Sequence, residues 1–132
     1  MNILVIDGMG GSIGRSIIEK IKSELEGATI TAVGTNSIAT SAMLKGGADF
    51  GATGENAVVY NASKADYIVG VMGIMLANSM HGEVSPKMAE AVSSSSAQKI
   101  LLPVDKCNVV VMGVKAASVQ AYIGEIVGWL KE

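Results

Sequence analysis

The sequence predicts an α/β fold in three layers: a doubly wound, mainly parallel sheet of about five strands covered by helices on both faces. Short apolar runs rich in Val and Ile, typical of buried strands, alternate with segments whose apolar residues recur at helical spacing. This alternation is typical of parallel sheets with right-handed crossover helices. The length of 132 residues and the hydrophobic content of 49% match a single domain over residues 1–132, without a separate substrate domain.

The first half of the chain reads as two strand-helix units. "NILVID" at 2–7 is a strand of buried type, and the helix after it carries Ile and Leu at helical spacing until Gly27. "TITAVG" at 29–34 is the second strand. A short helix at 36–47 follows, capped by Asn36 or Ser37 and ended by a Gly pair.

The middle of the chain continues the alternation. A helix is predicted at 53–64, with Thr53 as its N-cap and a glutamate in its first turn, and a strand at 66–71. The next stretch, "MGIMLANSMHGEV", is too apolar for an ordinary loop and too rich in glycine for a clear helix, so its structure stays open. Ser85-Pro86 then begins a helix that runs to about residue 95.

The last elements are two strands and a helix. "KILLPV" at 99–104 is the fourth predicted strand and "NVVVMGV" at 108–114 is the fifth. The helix at 118–131 has an apolar stripe, with Trp129 beside it as a residue of the core edge or of a subunit contact.

Four glycines stand within seven positions directly behind the first strand. In parallel α/β sheets this loop lies at the edge that receives ligands, and the N-terminus of the helix after it favours anions. The string "DGMGGSIGRSI" resembles the cofactor loop of short-chain dehydrogenases, which implies a Rossmann-like nucleotide-binding domain. Asp7 departs from that pattern, because a carboxylate near a phosphate repels it unless it points away or binds a ribose hydroxyl or a metal. A glycine turn that only packs the first helix on the first strand is the alternative.

We therefore predict a cofactor site at this edge, with NAD or NADP as the cofactor, although the second strand ends in neutral residues where an acidic residue normally binds the ribose. The predicted cofactor-binding residues are Asp7, Gly8, Met9, Gly10, Gly11, Ser12, Ile13, Gly14, Thr35, Asn36, Gly73 and Asn78. Ser79, Asp105 and Cys107 fall near the same edge.

Other motifs carry weaker indications. "YNASK" at 60–64 resembles the catalytic Tyr-x-x-x-Lys of short-chain dehydrogenases, but it comes too early in the chain, so Tyr60 and Lys64 are expected on an outer helix face. His81 and Glu83 are interpreted as a surface turn rather than as an acid/base pair or metal ligands, and Cys107 as a buried thiol rather than a nucleophile. "GATGEN" at 51–56 is either a second anion-binding helix start or a capped helix.

Composition limits partners and compartment. The net charge of −2 with dispersed basic residues argues against nucleic acid, and the most apolar run, at 67–80, is too short and too interrupted to span a membrane. The lone cysteine and the unprocessed appearance of the start of the chain indicate a cytoplasmic protein. A homo-oligomer is expected, because one small domain needs a neighbour to close over a ligand, and one or both of the apolar segment 71–80 and the last helix with Trp129 are the expected contacts.

Taken together, "DGMGGSIG", "TNSIATSAMLKGGA", "GATGENA", "GIMLANSMHGE" and "SPKMAEA" resemble a family of short stand-alone bacterial proteins that is catalogued as a domain of unknown function. This resemblance spans most of the chain and implies no activity. Three functions remain open: a nucleotide-binding sensor, carrier or oligomeric enzyme; an enzyme acting on a small phosphorylated or carboxylated metabolite; and an interaction subunit without a ligand.

Overall fold

The computed structural model, which describes residues 1–104 and 108–132, contains a five-stranded parallel sheet with the strand order β3-β2-β1-β4-β5. The predicted fold class is confirmed. The strands are β1 (Asn2–Asp7), β2 (Thr29–Gly34), β3 (Phe50–Thr53), β4 (Tyr67–Val71) and β5 (Gln98–Leu102).

Helices cover both faces of this sheet. The helices are α1 (Ser12–Glu24), α2 (Ser37–Lys45), α3 (Glu55–Ala62), α4 (Pro86–Ser94) and α5 (Val119–Lys131). Helices α1, α2 and α5 share one apolar core with the sheet, and α3 and α4 share the other. Within the described ranges, no helix is both long and apolar enough to cross a membrane.

The central strand β1 feeds both cores because successive side chains of a strand point to opposite faces. Ile3 and Val5 belong to the core under α1, α2 and α5, whereas Leu4 and Ile6 belong to the core under α3 and α4. All four side chains are at most 2% exposed. Burying one such side chain stabilises the fold by about 1.5–3 kcal/mol, so a strand without polar side chains between its ends is what this central position requires.

Helix starts follow their sequence signals in part. The side chain of Asn36 accepts a hydrogen bond from the N–H of Ala39, and that of Ser85 accepts one from Met88, so these two predicted caps are confirmed. The predicted cap Thr53 is wrong. It is the last residue of β3, and Gly54, with φ 101°, precedes α3 instead.

The sequence prediction differs from the structure in two strands. Phe50–Thr53 is a strand that the sequence analysis missed, because it has only four residues and includes a glycine. The segment 108–114 was predicted to be a strand and is irregular in the structure. Its β-branched residues favour a strand only where a neighbouring strand pairs with them, and none of the described residues does so.

The topology defines where a ligand can enter. The chain winds outwards from β1 through β2 to β3, then returns to place β4 on the other side of β1. This reversal is the switch point of a doubly wound sheet, where the loops after the two central strands diverge and leave a crevice. Here those loops are 8–11, called the glycine loop below, and 72–85, called the β4–α4 loop.

Candidate functional site

The glycine loop is held from inside by Asp7, the last residue of β1. One carboxylate oxygen of Asp7 accepts the N–H of Gly8 at 2.8 Å, and the other accepts the N–H of Gly14 at 2.7 Å. Asp7 is only 7% exposed. The carboxylate therefore points into the turn and fixes its shape, which is the role that the sequence could not assign.

The N–H groups of Gly10, Ser12 and Ile13 at the start of α1 differ from that of Gly14, which donates to Asp7. Gly11, with φ 76°, precedes the helix and gives it no side-chain cap. Within residues 1–104 and 108–132, no acceptor contacts the N–H groups of Gly10, Ser12 and Ile13. Uncapped N–H groups at a helix start, together with the positive end of the helix dipole, form a local environment that favours an anion.

The glycines of this segment have different roles. A Cβ on Gly14 would lie 2.6 Å from the Met43 sulfur and 2.9 Å from the Asp7 Cβ, and a Cβ on Gly11 would lie 2.7 Å from the backbone of Ala39. Both positions therefore need glycine for packing, chiefly against α2, and only Gly14 also lies against the end of β1, as in the alternative in which the turn packs α1 on β1. Gly10 is different, because nothing lies within 4 Å of the place where its Cβ would stand.

A carboxylate from the β4–α4 loop completes the crevice. Oε1 of Glu83 accepts hydrogen bonds from the Thr35 hydroxyl at 2.6 Å, from the Met9 N–H at 2.9 Å and from the Asn36 side-chain amide at 2.9 Å. The hydroxyl of Thr35, then the N–H of Met9, and to a lesser degree Asn36 and nearby His81, lower the pKa of Glu83 below its ordinary value. Glu83 thus remains ionised and joins the ends of β1 and β2 to the β4–α4 loop.

Sequence reasoning missed this role of Glu83. It predicted a surface turn for the string around His81 and Glu83, which is right for exposed His81 and wrong for Glu83. One signal was available: the end of β2 lacks the acidic residue usual there, and its neutral Thr35 and Asn36 are both good donors to a carboxylate from elsewhere.

The β4–α4 loop lies directly on the glycine loop. A Cβ on Gly8 would meet the Met80 sulfur at 2.6 Å, the Thr35 hydroxyl at 2.7 Å and Glu83 Oε1 at 3.0 Å. Left-handed backbone at Asn78 (φ 67°) and Met80 (φ 56°), among other residues, gives the loop the tight turns that this contact requires.

The remaining predicted site residues support the β4–α4 loop. The hydroxyl of Ser79 donates to the carbonyl of Gly73, and the N–H of Asn78 donates to the carbonyl of Val84 at 2.7 Å. Gly73 and Asn78 therefore shape the loop in this structure. Asp105 and Cys107 lie outside the described residues. In the part of the chain that is described, no group of three or more His, Cys, Asp or Glu is arranged to hold a metal ion.

The two other motifs are placed away from this crevice. Tyr60 is 59% exposed on α3, which confirms an outer helix face for this residue. Lys64 lies in the turn after α3, and its ammonium lies 4.8 Å from the centre of the Tyr60 ring. At the start of α3, the carboxylate of Glu55 accepts the Ser85 hydroxyl at 2.6 Å. The α3 start that was considered as a second anion site therefore already carries a negative charge.

A model of the family described as "Domain of unknown function (DUF3842)" matches residues 2–132. The chain belongs to this family. No curated protein matches the sequence. Among solved structures, a dodecameric FMN-dependent UbiX-like decarboxylase from Escherichia coli O157:H7 is similar over 98% of this chain and 92% of its own, with 12% identity and a TM-score of 0.41. At that TM-score the likeness gives no function to the DUF3842 chain.

The prediction of NAD or NADP as the cofactor is wrong. The cofactor named for the similar solved structure is FMN, which is not a dinucleotide.

Proposed function

We propose that this DUF3842 protein binds a mononucleotide at the switch point of its sheet. The phosphate lies at the N–H groups of Gly10, Ser12 and Ile13, and a hydroxyl of the ribose or ribityl group donates to Glu83. The observation that carries this proposal is the carboxylate of Glu83 held at the end of β2, beside three helix-start N–H groups that have no acceptor among the described residues.

The sugar part of the proposal rests on the two oxygens of Glu83. Oε1 receives all three hydrogen bonds that fix the side chain, and Oε2 contacts no donor among the described residues. An ionised carboxylate with one oxygen fixed and one unused is a good acceptor for a hydroxyl. Glu83 therefore supplies from the β4–α4 loop the acidic group that Rossmann-like domains usually carry at the end of the second strand.

The phosphate part rests on the start of α1. A phosphate there gains the unpaired N–H groups and the positive end of a helix of 13 residues. The charge of Asp7 opposes this gain, but its two carboxylate oxygens already accept the N–H groups of Gly8 and of Gly14, the latter in the first turn of α1. These hydrogen bonds reduce the repulsion that the carboxylate exerts on a phosphate.

The size of the ligand follows from the β4–α4 loop. In a dinucleotide site the second nucleotide extends past the switch point, where Met80 and Glu83 lie over Gly8 in this chain. We therefore assign one phosphate and one sugar to the donors and acceptors on the β2 side.

Isothermal titration with AMP, GMP, CMP, UMP and FMN tests the proposal, together with native mass spectrometry of the purified protein. We expect at least one of these to bind. Gly10→Val keeps the backbone N–H of residue 10, but its side chain obstructs the approach of the phosphate, so binding should weaken by roughly tenfold or more, about the loss of one charge-assisted hydrogen bond. Because a Cβ at Gly10 meets no atom, this variant should stay folded.

Gly124→Ala is the matched control. It changes an exposed glycine of α5 that also has open space around it, and it should leave binding unchanged. Absence of binding to all five compounds, or equal affinity in wild type and Gly10→Val, would contradict the proposal and favour an interaction subunit whose glycines serve only for packing.

A further inference from the structure

Strand β5 forms one edge of the sheet, and its outer side is unpaired among the described residues. Beside this edge runs a groove of about 440 Å³, bounded by Ile100–Pro103 on one side and by Tyr122, Ile126 and Trp129 of α5 on the other. Trp129 is 57% exposed. Edge strands of natural proteins are normally protected by charges, prolines or a covering element, because an open edge pairs with other chains.

The segment 108–114 lies next to this groove and is unusually apolar for exposed chain. "NVVVMGV" contains no charged residue, and Val110 and Met112 are 82% and 88% exposed. Exposed apolar residues elsewhere in the described chain are mostly isolated, whereas Val109 and Val114 are also exposed here. A contiguous apolar patch of this kind marks an interaction surface.

The segment does not fill its own groove. Its C-terminal end is attached beside α5, where the Tyr122 hydroxyl donates to the carbonyl of Lys115 at 2.7 Å. Gly113 and Val114 already form part of the groove wall. Val110 and Met112 therefore extend away from the groove, and the apolar groove stays open to a second chain.

We propose that two copies of this chain form a dimer by mutual strand addition: residues 108–112 of each copy lie along the β5 edge and groove of the other. Each copy offers both halves of the contact, so a two-fold arrangement satisfies the two edges at once and leaves none open. The segment has the β-branched residues that a strand favours, and pairing with β5 would supply the neighbour that it lacks in the single chain.

This contact agrees in part with the one expected from sequence. One or both of the segment 71–80 and the last helix with Trp129 were expected at the subunit contact; α5 lines the groove, whereas Ile74 and Ser79 of the segment 71–80 are buried within the chain itself. Of the residues expected there, exposed Trp129 remains available.

Sedimentation of wild type and of the double variant Val110→Lys/Met112→Lys at micromolar concentration tests this proposal. We expect wild type to sediment as two chains and the double variant as one chain of 13.5 kDa. Both changes are at exposed positions, so circular dichroism should show the same fold. Phe50→Lys, an exposed residue on the opposite edge strand β3, is the control and should remain dimeric.

Amide hydrogen exchange distinguishes a second copy from closure within one chain. In wild type, residues 98–102 and 108–112 should become protected as the concentration rises, and dilution or the double variant should remove this protection. A monomeric wild type, a double variant that remains dimeric, dissociation by Phe50→Lys, or protection independent of concentration would each overturn the proposal.

Discussion

Replacing Glu83 by Ala removes a carboxylate that joins the ends of β1 and β2 to the β4–α4 loop. The variant loses three hydrogen bonds to Oε1, from Thr35, Met9 and Asn36. It creates no steric conflict, because the side chain is only shortened. The change should therefore destabilise the protein through lost polar contacts and loosen the β4–α4 loop.

The magnitude follows from the number and exposure of these hydrogen bonds. Three hydrogen bonds to a charged acceptor would sum to roughly 4.5 kcal/mol or more if all were buried. Thr35, Asn36 and Glu83 are only half-buried, so water replaces part of what is lost. We expect a loss of about 2 kcal/mol in the free energy of unfolding, which lowers the Tm by roughly 8 °C in a chain of this size.

Urea denaturation and thermal unfolding of Glu83→Ala measure this effect. Glu90→Ala is the matched control, since Glu90 is an exposed glutamate of α4 whose carboxylate has no partner among the described residues. A loss of less than about 0.5 kcal/mol, the range of ordinary surface substitutions, or a loss equal to that of Glu90→Ala, would refute the structural role of Glu83.

Three further predictions concern stability. Gly14→Ala should lower the free energy of unfolding by about 1–3 kcal/mol, because the new Cβ would lie 2.6 Å from the Met43 sulfur, whereas Gly10→Ala should change it by less than about 0.5 kcal/mol; urea denaturation that ranks them equally would contradict this. Because the pKa of Glu83 is lowered in the folded protein, its carboxylate contributes fully to the free energy of unfolding above the ordinary glutamate pKa of about 4.3. This contribution is lost as the pH falls below that value. The stability difference between wild type and Glu83→Gln should thus shrink below about pH 4, and a constant difference would count against it. Gly124→Ala should stabilise α5 by about 0.5–1 kcal/mol, as for any open glycine inside a helix, and a lower Tm would be the opposite result.

The sequence was sufficient for the elements that local pattern determines. The first two strands, 2–7 and 29–34, have the predicted bounds, because long apolar runs at the centre of a parallel sheet are uninterrupted. Edge elements were predicted less well. Phe50–Thr53 is short and three of its four residues are exposed, so it has no apolar run. The segment 108–114 has an apolar run, but no described strand pairs with it.

Some residues of the candidate site could likewise be predicted from the sequence and others could not. The glycine loop and the end of β2 follow from chain order, since the carboxyl ends of parallel strands meet at one edge. The hydrogen bonds of Glu83 join residues 47 to 74 positions apart in the chain. No local pattern encodes contacts at that separation, so the role of Glu83 could be recognised only from the folded structure of the β4–α4 loop.

If a mononucleotide phosphate occupies the start of α1, the amide chemical shifts of that segment report its binding directly. The measurement is a titration of ¹⁵N-labelled protein with AMP, GMP, CMP, UMP and FMN, one at a time, followed by the amide signals of Gly10, Ser12 and Ile13. We expect at least one compound to shift these three signals together with that of Met9, whose N–H donates to Glu83, and to shift them far less in Gly10→Val. Signals that stay fixed with all five compounds, or shifts confined to residues away from the glycine loop and the β4–α4 loop, would contradict a mononucleotide site at the start of α1.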